Sequence, residues 1–369
     1  MDLAIQFFKT LLLKPFLVAF IVSFMATPLT IIFARRFGLV DDPKKRKHPA
    51  HVHEGIIPRA GGLAIFAGLF ISVFLFLPHT KQFWGIALGA FILIFIGLLD
   101  DKYDLSPYFR FLINILVAII VVSGGTGISY ITNPLGGVIY LDTLRVRFDF
   151  FGPHSVVVWA DLFAVVWIVW CMNMVNWSKG VDGQMPGFVA ISAFILGLLS
   201  FRFLTAGDLT QWTTAGLAFI TAGAFLGFLP FNFFPQKIMP GYGGGTLAGY
   251  ILAVLSILSV AKVGTALLVL GIPMIDAFYT VGRRLWAGKS PFWHDRGHLH
   301  HRLLDIGWGK RRIALFYWMV SAILGAIALF LNSSQKLFAF LLVGVIMGGV
   351  LLWLVFFLPF LRRLDRNSG

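Results

Sequence analysis

Charge is what this sequence has least of. Only 12% of its 369 residues are Asp, Glu, Lys or Arg, whereas a soluble domain carries about 25%. So few charges cannot cover a water-facing surface, and most of the exterior must meet lipid. A soluble fold is excluded. Cysteine is also scarce: Cys171 stands alone, which excludes a disulfide framework and leaves the redox compartment open. Low-complexity tracts, long linkers and short-period repeats are absent, so residues 1–369 read as one integral-membrane domain.

What is present is apolar sequence in runs of membrane length. Hydrophobic residues make up 58% of the chain, and a helical span needs about 20 of them in succession. Runs at 12–34, 61–78, 83–101, 108–124, 155–175, 187–204, 212–232, 246–261, 264–284, 313–332 and 337–361 predict an all-α polytopic membrane protein of about eleven transmembrane helices. Lys9 and Lys14 before the first run also fit a signal peptide, but no small-residue cleavage site follows and Pro28 continues into apolar sequence.

The basic residues orient the chain. With eleven spans, 22 of the 30 Lys and Arg fall on one side; the other keeps Lys9, Lys14, Lys81, Arg145, Arg147, Arg202, Lys262 and Lys336. The rich side is expected to be cytoplasmic, with the N-terminus outside and the C-terminus inside. The net charge of +14 would suggest nucleic acid on a soluble protein. Here it sits in loops, facing an anionic bilayer surface or an anionic substrate. The one sizeable external segment is 125–154, where Val138–Leu141 and Val146–Phe150 flank a polar stretch and predict a short β-hairpin.

Nearly every unusual polar cluster falls on the cytoplasmic side. Asp100 and Asp101 close the third span, against the preference of a helix C-terminus for cations and beside hydrocarbon, where charge is costly and usually functional. Paired carboxylates suit Mg²⁺; a solvated helix end balanced by Lys102 and Arg110 is the plainer alternative. Asn173 and Asn176 share a face where the fifth span ends, followed by Lys179, Gly180, Asp182 and Gly183, a set fit to hold a pyrophosphate and its metal or simply to cap and turn. The stretch Pro240-Gly241-Tyr242-Gly243-Gly244-Gly245-Thr246 reads as a glycine-rich loop opening the eighth span, an anion site or an ordinary turn.

His298, His300, His301 and Arg302 lie in a long loop. Their spacing lacks the Glu of a zinc motif, and recognition of phosphate and sugar fits them better than zinc, with a basic loop on an anionic leaflet as the alternative. Lys44-Lys45-Arg46-Lys47, with His51 and His53, precedes Pro58-Arg59-Ala60 and reads as a topology determinant that also steers anions inward. The common side of these clusters points to one site for phosphoryl transfer at the membrane surface.

These residues resemble a family, the polyprenyl-phosphate N-acetylhexosamine-1-phosphate transferases, which includes phospho-MurNAc-pentapeptide translocase. The resemblance runs in order along almost the whole chain. It starts at Gly38-Leu39-Val40-Asp41, Ile57-Pro58-Arg59-Ala60-Gly61-Gly62 and Leu99-Asp100-Asp101 with Leu105-Ser106-Pro107, then passes through Asn173 to Gly183 and Leu229-Pro230-Phe231-Asn232. It ends with Pro273, Asp276, Arg283-Arg284, Gly288-Lys289-Ser290-Pro291 and Asp295 to Leu303. His-Leu-His-His looks like the GlcNAc-1-phosphate branch.

The resemblance implies a cytoplasmic-side enzyme of the inner membrane, a homodimer, with UDP-HexNAc and a polyprenyl (undecaprenyl) phosphate as partners and no nucleic acid. Attack of the lipid phosphate on the β-phosphate of the UDP-sugar, assisted by Mg²⁺ or Mn²⁺, would release UMP and start a cell-envelope glycopolymer. Asp100, Asp101 and Asp182 would be the catalytic and metal-binding carboxylates. Asn173, Asn176, Lys179, Arg59, His298, His300, His301 and Arg302 would bind substrate.

Two positions depart from the family pattern. Lys179 stands where Asp is usual, and in an ungapped match Tyr242 replaces an Asp expected on Mg²⁺. Loss of two acids and gain of a lysine should weaken metal binding. Either the remaining aspartates hold the metal and Lys179 neutralises phosphate, or the chain binds nucleotide-sugar or lipid without catalysis. A lipid transporter is a third reading, for which Asp161 and Asp276 are the candidate intramembrane charges.

Overall fold

The computed structural model describes residues 8–44, 55–133, 136–149, 153–259, 262–291 and 295–354. Lys45 to Lys47, His51, His53 and the tail from Arg362 lie outside the described residues. A π-helical turn, Phe8–Leu13, leads into α1 (Lys14–Arg36). There follow α2 (Gly61–Phe76), α3 (Lys81–Tyr103), α4 (Pro107–Ser123), α5 (Val158–Trp177), α6 (Gln184–Thr205), α7 (Gln211–Asn232), α8 (Gly241–Leu258), α9 (Lys262–Val269), α10 (Gly271–Trp286), α11 (Leu299–Asp305), α12 (Lys310–Phe330) and α13 (Ser333–Leu352).

Among the described residues eight helices are long and apolar enough to cross a membrane, or nine if α9 and α10 form one span. The chain is a multi-pass membrane protein. The difference from eleven lies in α2 and α4, with 16 and 17 residues. At about 1.5 Å per residue they reach about 25 Å, short of a hydrocarbon layer of about 30 Å. The run 264–284 is also not one straight helix, for α9 and α10 meet at 85°. Pro273 accounts for the break: it has no N–H for the Val269 carbonyl, and its ring crowds that oxygen.

Local signals set the helix ends. Thr80 accepts from the Phe83 N–H to cap α3, Pro107 starts α4 where its missing N–H costs nothing, and Asn332 with Gln335 forms a capping box before α13. The outer helices turn apolar side chains outward, as at Leu29 and Val345, 68% and 74% exposed, which suits a lipid solvent.

The centre of the bundle is α8, buried from Gly241 to Ile257, with α2, α3, α5, α6 and α7 packed around it. Its glycines explain why it can be central. A Cβ on Gly243 would meet the Gly97 Cα of α3 at 3.3 Å, and one on Gly244 the Gly62 Cα of α2 at 3.1 Å. Without a hydrophobic force between helices in lipid, such close backbone approach supplies the packing. The expected glycine-rich loop is therefore the first turn of a helix, and its glycines serve helix contact.

Three two-stranded antiparallel sheets complete the described fold. β1 (Val40–Asp41) pairs with β2 (Ile57–Pro58), Val40 opposite Pro58. The Met239 N–H donates to the Pro58 carbonyl at 2.7 Å, and the Gly62 N–H to the Pro240 carbonyl at 2.8 Å. The strand leading into Arg59 is thereby fixed to the start of α8. The expected hairpin is re-paired: β4 (Val138–Tyr140) joins β3 (Tyr130–Thr132), and β5 (Arg145–Asp149) joins β6 (Pro153–Val157). Gly136 and Gly137, with φ of 116° and 81°, reverse the chain before β4, a turn that ordinary residues resist.

Candidate active site

The aspartate pair sits at the C-terminus of α3, where two buried carboxylates repel each other and meet the negative end of the helix dipole. Both are buried and held by cations from other elements. Arg110, in the first turn of α4, lies 3.2 Å from Asp100 Oδ1, which also accepts the Leu105 N–H at 3.2 Å. Arg59 Nε lies 3.2 Å from Asp101 Oδ1. The same Asp101 oxygen accepts the Tyr242 N–H at 3.1 Å. The anion received by the free N–H groups of α8 is thus the protein's own Asp101.

Gly241 closes this corner. Its φ is +71°, and a Cβ there would overlap the Asp101 carboxylate and the Arg59 carbonyl. The Gly241 carbonyl accepts from Lys179 Nζ at 2.6 Å. Burial pulls the Lys179 ammonium below the usual lysine range, and the Asp101 carboxylate opposes that fall. Tyr242 turns its ring beneath the Arg110 guanidinium, 5.2 Å from centroid to Cζ, and donates its hydroxyl to Asn114 Oδ1 at 3.1 Å.

The segment after α5 carries the connection onward. Asn173 donates to its own helix, at the Val169 carbonyl, 2.8 Å away. Asn176 packs against Gly245, and its Oδ1 is buried without a hydrogen-bond partner. Gly180 is seated against the His300 ring, which any Cβ would overlap. Asp182 accepts the Gln236 N–H at 3.2 Å and lies 3.3 Å from Lys310 Nζ. Asn232 ties the turn from below, accepting the Gly183 N–H at 3.1 Å and donating to the Ile238 carbonyl at 2.9 Å.

The histidine segment is held by α10. Asp276 Oδ2 lies 2.9 Å from His298 Nδ1, and its Oδ1 accepts the Leu299 N–H at 2.8 Å. A carboxylate accepts, so this contact assigns the His298 proton to Nδ1. His298 and His300 stack, with ring centroids 5.6 Å apart and planes at 6°, and Trp177 lies 6.3 Å from the His298 ring. Burial lowers the pKa of both His300 and His301, the latter to about 4, so both rings are neutral at pH 7. Arg302 donates to the Gly297 carbonyl at 3.0 Å. Burial alone would raise Asp295, but hydrogen bonds from Arg284, Arg283 and the Gly297 N–H hold its carboxyl well below the usual range.

Part of the expected set is brought together. Arg59, Asp100 and Asp101 meet Lys179 at Gly241, and the next residue, Gly180, meets His300. A model of glycosyl transferase family 4 matches residues 83–260. A probable undecaprenyl-phosphate N-acetylglucosaminyl 1-phosphate transferase of Bacillus subtilis (strain 168) is 33% identical over 329 residues, 86% of this chain and 85% of that protein. The decaprenyl-phosphate N-acetylglucosaminephosphotransferase of Mycobacterium leprae (strain TN) is 31% identical over 381 residues, 95% and 90% of the two chains. The undecaprenyl-phosphate alpha-N-acetylglucosaminyl 1-phosphate transferase of Escherichia coli (strain K12) is 30% identical over 378 residues, 94% and 95%. The chain belongs to the polyprenyl-phosphate N-acetylglucosamine-1-phosphate transferase family.

In this family member the donor set does not fit a divalent ion. Mg²⁺ takes one or two protein carboxylates beside phosphate oxygens and water, and those carboxylates must have oxygens to give. Among the described residues no three His, Cys, Asp or Glu side chains are grouped to hold a metal, so Asp182 does not join Asp100 and Asp101 as expected. Its carboxylate is engaged by Lys310 and Gln236, and the α3 pair is engaged by Arg59, Arg110 and backbone N–H groups. Nor are Asp161 and Asp276 bare intramembrane charges. Asp161 accepts the Val157 N–H at 2.8 Å in the first turn of α5, and Asp276 is bound to His298.

Four residues of this transferase-family site escaped the sequence reading of the site. Arg110 was visible only as a neighbouring charge, Asn114 as one amide within an apolar run, and Lys310 as part of a basic triplet. Asp276 stood among the matching residues, but nothing local linked it to His298.

Proposed function

We propose that this protein transfers GlcNAc-1-phosphate from UDP-GlcNAc to undecaprenyl phosphate on the cytoplasmic face of the inner membrane, and so initiates a cell-envelope glycopolymer. An oxygen of the lipid phosphate attacks the β-phosphorus of the donor. The bond from that phosphorus to the bridging oxygen breaks, and UMP leaves with the bridging oxygen. The lipid keeps a pyrophosphate-linked sugar. A phosphate monoester is largely dianionic at pH 7, its second pKa being about 6, so no strong base is needed. Positioning and charge neutralisation are the main demands of such a transfer.

The assigned roles follow from the contacts. Arg59, Arg110 and Lys179 carry phosphate charge; Asp100 and Asp101 hold the two arginines in place, and the Gly241 carbonyl holds Lys179. Asp182 anchors the turn that presents Lys179, with Asn173 and Asn176 at its start. His298, His300, His301 and Arg302 line the sugar-phosphate side. The cytoplasmic placement rests on the Lys and Arg asymmetry, and the dimer on family resemblance. The observation that carries the reading is the adjacency of Lys179 and Gly180, one on the phosphate corner and the other on the histidine segment.

The test is reconstitution of the purified chain in bilayers containing undecaprenyl phosphate, with a panel of UDP-HexNAc donors. UMP and lipid-linked sugar should appear one for one, fastest with UDP-GlcNAc. A catalytically silent binder of nucleotide-sugar or lipid is the second reading, favoured by the engagement of Asp182 with Lys310. Binding of UDP-GlcNAc with no UMP from any donor would decide for it.

A further inference from the structure

Three cationic side chains from three different elements converge on the two carboxylates of the phosphate corner. Arg59 and Arg110 each lie 3.2 Å from one of them. Lys179 enters from a third element and donates to the Gly241 carbonyl at 2.6 Å. Gly241 is the residue pressed between the Asp101 carboxylate and the Arg59 carbonyl. The ammonium therefore sits beside the aspartate pair, half-buried, with one of its three donors used on a backbone oxygen.

A divalent ion at this corner would need the aspartate oxygens for itself. Asp100 Oδ1 already takes Arg110 and the Leu105 N–H, Arg110 also reaches Asp100 Oδ2 at 3.4 Å, and Asp101 Oδ1 takes Arg59 and the Tyr242 N–H, so an ion would have to displace a guanidinium or bind through Asp101 Oδ2. An ion there would also face three cations at short range, where like charges repel strongly in a buried site. Tyr242 offers no relief, since its phenol is turned to Asn114 under Arg110.

We infer that Lys179 is the resident cation of this site, doing with an ammonium what a bound metal would otherwise do, so that the chain grips pyrophosphate with Lys179, Arg59 and Arg110 and holds no Mg²⁺ or Mn²⁺ of its own. The identity of the anion rests on the proposed transfer; the exclusion of metal rests on the contacts alone. Lysine can act as a point charge toward phosphate with its remaining donors.

The experiment uses the full chain in nanodiscs without nucleotide. Free Mn²⁺ is followed by electron paramagnetic resonance, and inorganic pyrophosphate binding by calorimetry. Wild type should leave Mn²⁺ free and bind pyrophosphate. Lys179→Met should weaken pyrophosphate about ten- to a hundredfold, the value of a charge-assisted hydrogen bond, while Lys179→Arg keeps most of the affinity. The double variant Lys179→Asp, Tyr242→Asp should take up Mn²⁺. Mn²⁺ bound by wild type and released in Asp101→Asn would overturn the inference, as would unchanged pyrophosphate binding in Lys179→Met. UMP release in EDTA is measured in parallel. Loss of UMP release in EDTA, restored by Mg²⁺, overturns the inference and leaves the transfer reading intact. No UMP under any condition removes the transfer reading, and the Mn²⁺ and pyrophosphate measurements then decide the inference.

Discussion

Gly180 lies against the His300 imidazole so closely that no side chain fits between them. This contact joins the histidine segment to the aspartate corner, because Lys179 is already anchored at Gly241. Gly180→Val should push the two halves apart while the bundle stays folded. A misplacement of about 1 Å costs on the order of 10²-fold in rate, and UMP release should fall by at least that much. A Gly180→Val enzyme with wild-type kcat/KM for UDP-GlcNAc would remove the contact from the mechanism.

Asp101 holds Arg59 and the Tyr242 N–H, in the first turn of α8, at once. Asp101→Asn takes away the nearer counter-charge of Arg59, at 3.2 Å, and leaves it only Asp100 Oδ2 at 4.0 Å. Breaking a buried pair costs about 3–5 kcal/mol of stability, and with Arg59 no longer held at the phosphate corner we expect transfer to fall below detection. Lys179→Ala removes a donor with no buried carboxylate left stranded, since Arg59 still covers Asp101, so it should weaken transfer and leave some turnover. Steady-state rates of the two variants test this order. Equal activity of Asp101→Asn and wild type would displace the proposed centre.

Asp276 acts through His298. Asp276→Asn keeps the shape of the contact but offers an amide to His298 Nδ1, which no longer fixes the tautomer. We expect kcat to fall about 10- to 100-fold, the range for partners that orient a functional histidine, with little change in KM. His298→Gln should cause a similar loss, and the double variant should be no worse than the worse single one. A coupling of about 0.5–3 kcal/mol in that cycle is expected for residues in contact. Independent, additive losses would mean that Asp276 serves only α10.

Much of this site was legible because its chemistry is local in sequence. Adjacent Asp100 and Asp101, and His298, His300 and His301 within four residues, declare themselves by type and spacing. The membrane helices were legible because lipid imposes a length. The misread parts depend on partners far along the chain. Gly241 to Gly245 is a helix start only because Gly97, Gly62 and Asn176 come against it. Asp182 is withdrawn from the aspartate pair by Lys310, 128 residues later. The hairpin, by contrast, failed for a local reason: the alternation in 138–150 marked strands, but each strand pairs with a nearer neighbour outside that stretch, β4 back to β3 across Gly136 and Gly137 and β5 forward to β6.

The neutral histidines give the fold a pH dependence of definite sign. Burial lowers His301 to about 4 and holds His300 well below the ordinary histidine value, with Arg296 and His298 adding to the effect and Asp276 and Asp305 opposing it at His301. In the unfolded chain a histidine protonates at about 6.5. Between the two values the unfolded chain binds more protons, so stability rises with pH across that window. The contribution is complete above about pH 6.5 and is lost as pH falls toward 4. Melting temperature in nanodiscs should therefore drop between pH 7 and pH 5. Replacing both rings by glutamine removes the groups that take up the protons, so the His300→Gln, His301→Gln protein should melt with a flatter profile over the same range. An identical slope in the two proteins would show that other groups govern acid sensitivity, and that these rings are not held neutral by burial.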